Sequence, residues 1–228
     1  MSGSIEAVLF DLDGTLAATM RHWDCCWSDY AARHGHTWSE ADRRSTHGHG
    51  DWAEHVAAVC GVDVVERVVD DCLELMVAQI RSGRIELLPG IPRLLATADA
   101  VVTGVVSASP RRFVDAAIDH FDLRRSMRVI VAREDHPTTK PQPGPWLHAA
   151  DLLGIDTGSC VAVEDSAAGI RSAHAAGMRV LAIPSWMPTQ RPPEADLAEH
   201  LAIDADHAHS WLHGVITETT RPSAVARI

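Results

Sequence analysis

Six residues far apart in the chain carry side chains suited to one kind of chemistry: Asp11, Asp13, Ser107, Lys140, Glu164 and Asp165. Carboxylates in such a set can hold Mg2+, a hard cation that prefers oxygen ligands and keeps some waters. A metal ion and a lysine neutralise charge on a transferring phosphoryl group, while a serine hydroxyl donates to an equatorial oxygen. Asp11 can then attack phosphorus to form an aspartyl-phosphate. Asp13, two residues on, points differently and can protonate the leaving oxygen, then activate water. Lys140 is singled out by scarcity as well, being the only lysine among twenty basic residues. A chain that meets its other needs for cations with arginine keeps one ammonium for its distinct shape and donor geometry.

These residues can meet only if the elements that carry them end side by side. The apolar run from Ile5 to Phe10 reads as a strand that stops at Asp11. A second, from Val101 to Val106, stops at Ser107 and is followed by a helix from Arg111 to His120. The strand from Arg128 to Val131 leads into a proline-rich loop holding Lys140, then a helix from Trp146 to Leu153. The strand from Cys160 to Val163 stops at Glu164-Asp165, before a helix from Ser166 to Ala176. Further strands are expected from Arg179 to Ile183 and at Leu201 to Ile203, with a closing helix from His207 to Val215. Strands alternating with helices predict an α/β fold, a doubly wound, Rossmann-like, mostly parallel sheet. Ligands of such sheets bind at the carboxyl ends of the strands, where the six residues fall.

Between Thr19 and Arg84 the pattern turns helical, with Trp23, Trp27 and Tyr30 at i, i+4 and i+7 and two further helical stretches after them. The expected organisation is a catalytic core of residues 1–16 and 88–216, an inserted helical cap of residues 17–87, and a frayed tail of residues 217–228. The connections to the cap, Leu16 to Thr19 and Arg84 to Pro89, are the expected hinge.

With 46% hydrophobic and 22% charged residues the chain is globular in composition. Its net charge of −11 argues against broad nucleic-acid binding and against anionic membrane surfaces. No apolar run approaches the roughly 18–20 residues of a membrane span. The N-terminus enters its first apolar run without a basic lead-in, unlike a signal peptide. Five cysteines without CxxC spacing fit reduced thiols in a cytoplasmic protein. The expected partner is therefore a small molecule, and a monomer is the default state, with a dimer as the alternative.

Asp11-Leu12-Asp13-Gly14-Thr15-Leu16 resembles the first motif of the haloacid dehalogenase superfamily. Val105-Val106-Ser107 is similar to its second motif, Lys140-Pro141-Gln142-Pro143 to its third, and Val163-Glu164-Asp165-Ser166-Ala167-Ala168-Gly169-Ile170 to its fourth. The resemblance covers about residues 5 to 204, and all four motifs stand in order. It implies Asp11 as nucleophile and metal ligand, and Asp13 as acid/base with its backbone carbonyl on Mg2+. It implies Ser107, Ala108 and Lys140 as phosphate-binding, and Asp165 as a metal ligand with Glu164 beside it, directly or through water. Leu87-Leu88-Pro89-Gly90 and the helical insert resemble the phosphoglycolate phosphatase and β-phosphoglucomutase branch. Ser45-Thr46-His47-Gly48 is similar to a cap segment of sugar- and polyol-phosphate phosphatases, which makes His47 a candidate substrate contact. Metal binding by His47 and His49 is the weaker reading, since one such pair arises easily among fourteen histidines. The cap tryptophans read as core, with one or two walling the pocket.

The chain departs from the family pattern at Ala18-Thr19, Thr139 and Trp146, none of which removes a catalytic group. Within the superfamily, Asp13 argues against a dehalogenase, and the absence of lysine from the cap argues against a Schiff-base phosphonatase. The resemblance thus implies a Mg2+-dependent phosphatase acting on a small sugar or polyol phosphate. A β-phosphoglucomutase-like mutase, with Arg43 and Arg44 replacing the usual cap cations, and a phosphoglycolate phosphatase are the alternatives. A non-catalytic module of the same fold is disfavoured by the presence of Asp11, Asp13 and Lys140.

Overall fold

The computed structural model describes residues 4–185 and 191–220, the last three of them by backbone alone. Its centre is a six-stranded, wholly parallel sheet in the order β3-β2-β1-β4-β5-β6. The strands are β1 (Ala7–Phe10), β2 (Val102–Val106), β3 (Met127–Val131), β4 (Cys160–Glu164), β5 (Arg179–Ala182) and β6 (His200–Leu201). A parallel sheet must be covered on both faces, so its strands read as unbroken apolar runs, as β1 and β4 do here. Alternate side chains feed two cores. Val8, Phe10, Val161 and Val163 pack on one side with α5 (Ile91–Ala98), α6 (Arg111–His120) and α9 (Ala205–Thr220). Ala7, Leu9, Cys160 and Ala162 pack on the other with α7 (Gly144–Leu153) and α8 (Ala167–Ala175). The fold is the doubly wound, Rossmann-like sheet that the alternation predicted.

Strand order reverses between β1 and β4, and a crevice at such a switch point is where open sheets of this class bind ligands. Register does the placing. Phe10 is level with Val105 and Val163, so Asp11 emerges beside Val106 and Glu164.

Four helices separate β1 from α5: α1 (Met20–Arg33), α2 (Glu40–Thr46), α3 (Trp52–Cys60) and α4 (Val65–Arg81). Their entry and exit run side by side, with Ala18 N–H donating to Glu86 C=O at 2.9 Å and Leu88 N–H to Leu16 C=O at 2.9 Å. The insert is not a detached lobe, because Trp23 packs edge-on against Phe113 of α6 with ring centres 5.1 Å apart. Helix α2 was not anticipated. It has too few turns to show a period, but its start is written as a capping box in which Ser39 and Asp42 satisfy each other's backbone N–H groups.

The last helix runs through Thr220, so residues 217–220 are helical where fraying was expected; residues 221–228 of that expected tail lie outside the described residues. Among the described residues, no helix is long and apolar enough to cross a membrane.

Candidate active site

Lys140 is the hub of the strand ends. Its side chain is 1% exposed, and its ammonium donates to Asp11 Oδ1 at 2.6 Å, Glu164 Oε1 at 2.6 Å and the Val106 carbonyl at 2.9 Å. All three of its protons are thus engaged. Its stem lies over Trp146, the nitrogen 4.7 Å from the ring centre, where the aromatic face attracts a cation. Burial pulls the ammonium toward neutrality, but Asp11 and Glu164 outweigh it and hold Lys140 above the ordinary lysine range.

The carboxylates beside it are treated unequally. Glu164 is fully engaged: Oε1 accepts from Lys140, and Oε2 from the backbone N–H groups of Asp165 and Ser166 and the Ser166 hydroxyl. Gly169 lets that carboxylate lie against the first turn of α8, for a Cβ there would overlap it. Asp11 has one oxygen on Lys140, while its Oδ2 is buried without a partner among the described residues. Asp165 accepts from Thr15 Oγ1 at 3.3 Å and abuts Gly14, whose φ of +87° and missing Cβ leave room for it. Burial, then Glu164, pushes Asp165 up to about 7. Burial likewise raises Asp11 well above the usual carboxylate range, against the pull of Lys140.

These three buried carboxylates have donor atoms within 4.8 Å of one another. With all of them ionised they outnumber the lysine by two charges, and burying such an excess without a counter-ion is costly. An oxygen-rich, dianionic set with an orphaned Asp11 oxygen fits a hard divalent cation.

Asp13 faces elsewhere. Its Oδ1 accepts from Trp23 Nε1 at 2.8 Å, and its Oδ2 from Ser109 Oγ at 2.7 Å and Ser107 Oγ at 3.2 Å. Ser107, expected on phosphate, thus holds Asp13 and the Ser109 N–H in this structure. Asp11 and Asp13 both open onto a cavity of about 30 Å³. Ala108, Ser109 and Ser166 complete its floor, and Met20, Trp23, Trp27, Thr46, His49 and Trp52 form its roof. Lys140, Glu164 and Asp165 stand behind the floor. His47 is not in the lining. It packs against Trp27 with ring centres 5.8 Å apart, and burial draws its imidazole below the usual range.

Sequence reading missed Ser109, Thr15 and Trp23. Ser109 could have been found by its spacing of two from Ser107 at a strand end. Trp23 gave no separate signal, because its helical spacing to Trp27 is that of a core residue. Three tryptophans line the cavity, more than the one or two expected, and Trp38 does not.

Comparison with known proteins places the chain in a family. A model of the haloacid dehalogenase-like hydrolases fits residues 8–183. Protein CbbY of Rhodobacter capsulatus is 32% identical over 195 residues, covering 79% of this chain and 86% of that protein. Hexitol phosphatase A of Escherichia coli (strain K12) is 32% identical over 201 residues, covering 86% and 90%. A point mutant of CbbY from Rhodobacter sphaeroides, in complex with xylulose-(1,5)bisphosphate, superposes with a TM-score of 0.74 at 26% identity, over 88% of this chain and 95% of that chain. The match spans all four strand-end motifs, and this chain belongs to the haloacid dehalogenase-like hydrolase family.

Proposed function

We propose that the protein is a Mg2+-dependent phosphatase of small sugar or polyol phosphates, working through an aspartyl-phosphate on Asp11. The observation that carries this reading is the division of labour at Asp11. One oxygen is pinned by Lys140, and the other is buried, unpartnered among the described residues, and beside the cavity that Asp13 also faces. Asp11 Oδ2 forms the bond to phosphorus as the ester oxygen leaves, and Asp13 gives that oxygen its proton. Asp13 then takes a proton from water, which attacks the same phosphorus, frees phosphate and restores the Asp11 carboxylate. Trp23, Ser107 and Ser109 hold Asp13 in one rotamer for both transfers.

Asp11 and Asp165, with the Asp13 backbone carbonyl, would hold Mg2+. Glu164, whose oxygens are already engaged, suits an indirect role through Lys140 or water. The metal, when bound, supplies charge neutralisation at the phosphoryl oxygens. Helices α1–α4 act as the cap. A cavity of about 30 Å³ holds little more than water, so substrate enters by movement about the paired connections at Ala18 and Glu86. The relatives named above, a hexitol phosphatase among them, support the substrate class.

The test is phosphate release with Mg2+ over a panel of sugar and polyol phosphates. Turnover should vanish with EDTA and fall by about 10³-fold or more in Asp11→Asn, as for loss of a covalent nucleophile. Undiminished release by Asp11→Asn would refute the mechanism.

A further inference from the structure

Under the roof, the cavity lacks what a doubly charged substrate needs. Among the described residues, no arginine or lysine lines it, and its formal charges are the carboxylates of Asp11 and Asp13. The two arginines of α2, just ahead of Thr46, are committed elsewhere. Arg43 donates to Asp24 at 2.9 Å and sits 3.6 Å from Glu40, while Arg44 is 69% exposed and pairs with Glu40. Arg133, which reaches the cap from the core, donates its Nε to the Gly50 carbonyl at 3.0 Å.

In place of cations the roof presents indole. Trp23, Trp27 and Trp52 form a mutual cluster with ring centres 5.3 to 5.7 Å apart. Indole carbon packs well against C–H groups and brings no formal charge, and the one N–H edge turned to the floor, that of Trp23, is already taken by Asp13. Thr46 and His49 bring polar side chains to the roof, the Thr46 hydroxyl donating to the Asp42 carbonyl at 3.0 Å and free to accept.

We propose that this site, resting on the phosphatase reading above, selects phosphate monoesters whose alcohol part is uncharged and rich in C–H surface, and rejects a second phosphate or a carboxylate. The carbon chain of a sugar or polyol lies against the indole wall, and its hydroxyls reach Thr46 and His49. An anion in the same place would meet two carboxylates and, among the described residues, no lining lysine or arginine to answer it. This sets the chain apart from the CbbY structure, which holds a bisphosphate, and removes both the mutase and the phosphoglycolate alternatives.

The decisive pair is glucitol 6-phosphate and 6-phosphogluconate, which differ at one end by an alcohol against a carboxylate. With the full-length protein and Mg2+, kcat/KM should favour the alcohol by about 100-fold, the scale of an unanswered like charge. Fructose 1,6-bisphosphate and phosphoglycolate should be disfavoured to a similar extent. In His49→Lys, which puts an ammonium in the roof, the preference should shrink about tenfold. Equal kcat/KM for the pair, or preference for the bisphosphate, overturns the selection. Calorimetric binding of the same pair to Asp11→Asn reads selection without turnover. Equal affinities there overturn it as well, even where no ester is hydrolysed. Absence of phosphate release from every ester, including p-nitrophenyl phosphate, alongside selective binding would instead sink the phosphatase reading and leave the selection standing.

Discussion

At the strand ends, one ammonium answers two carboxylates, and a third carboxylate stands beside them with no lysine or arginine hydrogen-bonded to it among the described residues. In the helical roof, by contrast, charge is settled locally and away from the cavity. Asp42 accepts from Ser39, His36 and His55, and Asp24 from Arg43 and Trp38, which leaves indole facing the floor. The floor keeps an excess of negative charge that suits a cation, while among the described residues no lysine or arginine stands in the lining. On the proposed reading, chemistry and selection belong to separate pieces of chain, joined by two short connections.

The sharpest way to break that contrast is to remove the floor's single cation. Lys140→Met should lower kcat by about 10²–10³-fold, the scale of losing a preorganised donor. It should also destabilise the fold by about 3–5 kcal/mol, because Glu164 and Asp11 are left buried without their partner. Phosphate-release kinetics and urea denaturation measure the two effects. A change confined to activity would mean that the buried carboxylates do not depend on Lys140.

Next in size is the pH dependence of metal binding. Asp165 must be ionised to bind a cation, and burial, then Glu164, pushes it up to about 7. Protons therefore compete increasingly as pH falls through that value, and apparent Mg2+ affinity should drop by about tenfold per unit or more below it, the raised Asp11 carboxyl adding to the loss. Titrating Mg2+ by calorimetry from pH 8 to 5.5 checks this. A flat profile would contradict the elevation of Asp165.

A pair of roof variants sharpens the boundary between the regions. Trp23 donates to Asp13, whereas the buried Trp27 Nε1 has no partner among the described residues. Trp23→Phe should therefore lower kcat by about tenfold with little change in KM, while Trp27→Phe changes kcat by less than about twofold. Equal losses in kcat would show that the Trp23 hydrogen bond plays no part in placing Asp13.

The smallest effect on turnover belongs to Asp42. Burial tends to raise its carboxyl, but hydrogen bonds from Ser39, His55 and His36 hold it well below the ordinary value of 3.8. A depressed carboxyl stabilises the fold fully above that ordinary value, and the contribution is lost as pH falls toward the folded one. Asp42→Asn should cost about 1–2 kcal/mol at pH 7, with turnover within about twofold of the parent. The gap in Tm between the two should close as the pH is lowered below 4. A gap that widens on acidification would reverse the assigned sign.

Local physics explains what the sequence by itself determined. Apolar runs that end in Asp11, Ser107 and Glu164-Asp165 specify strands with polar carboxyl ends, and the alternation with helices specifies a parallel sheet. Parallel pairing then lines those ends up, so the floor is legible before any coordinates. Lys140 was legible through its solitude. The tertiary structure alone decided the rest, because it depends on which side-chain atoms meet across long stretches of chain. Nothing local distinguishes Glu164, whose oxygens are both engaged, from Asp11, which keeps one free. Nor does helical spacing tell a tryptophan that packs from one that holds Asp13. The absence of lysine and arginine from the cavity lining, among the described residues, is likewise a tertiary fact: Arg43 and Arg44 stand in the sequence as candidates, and only the folding of α1 against α2 brings Asp24 to Arg43.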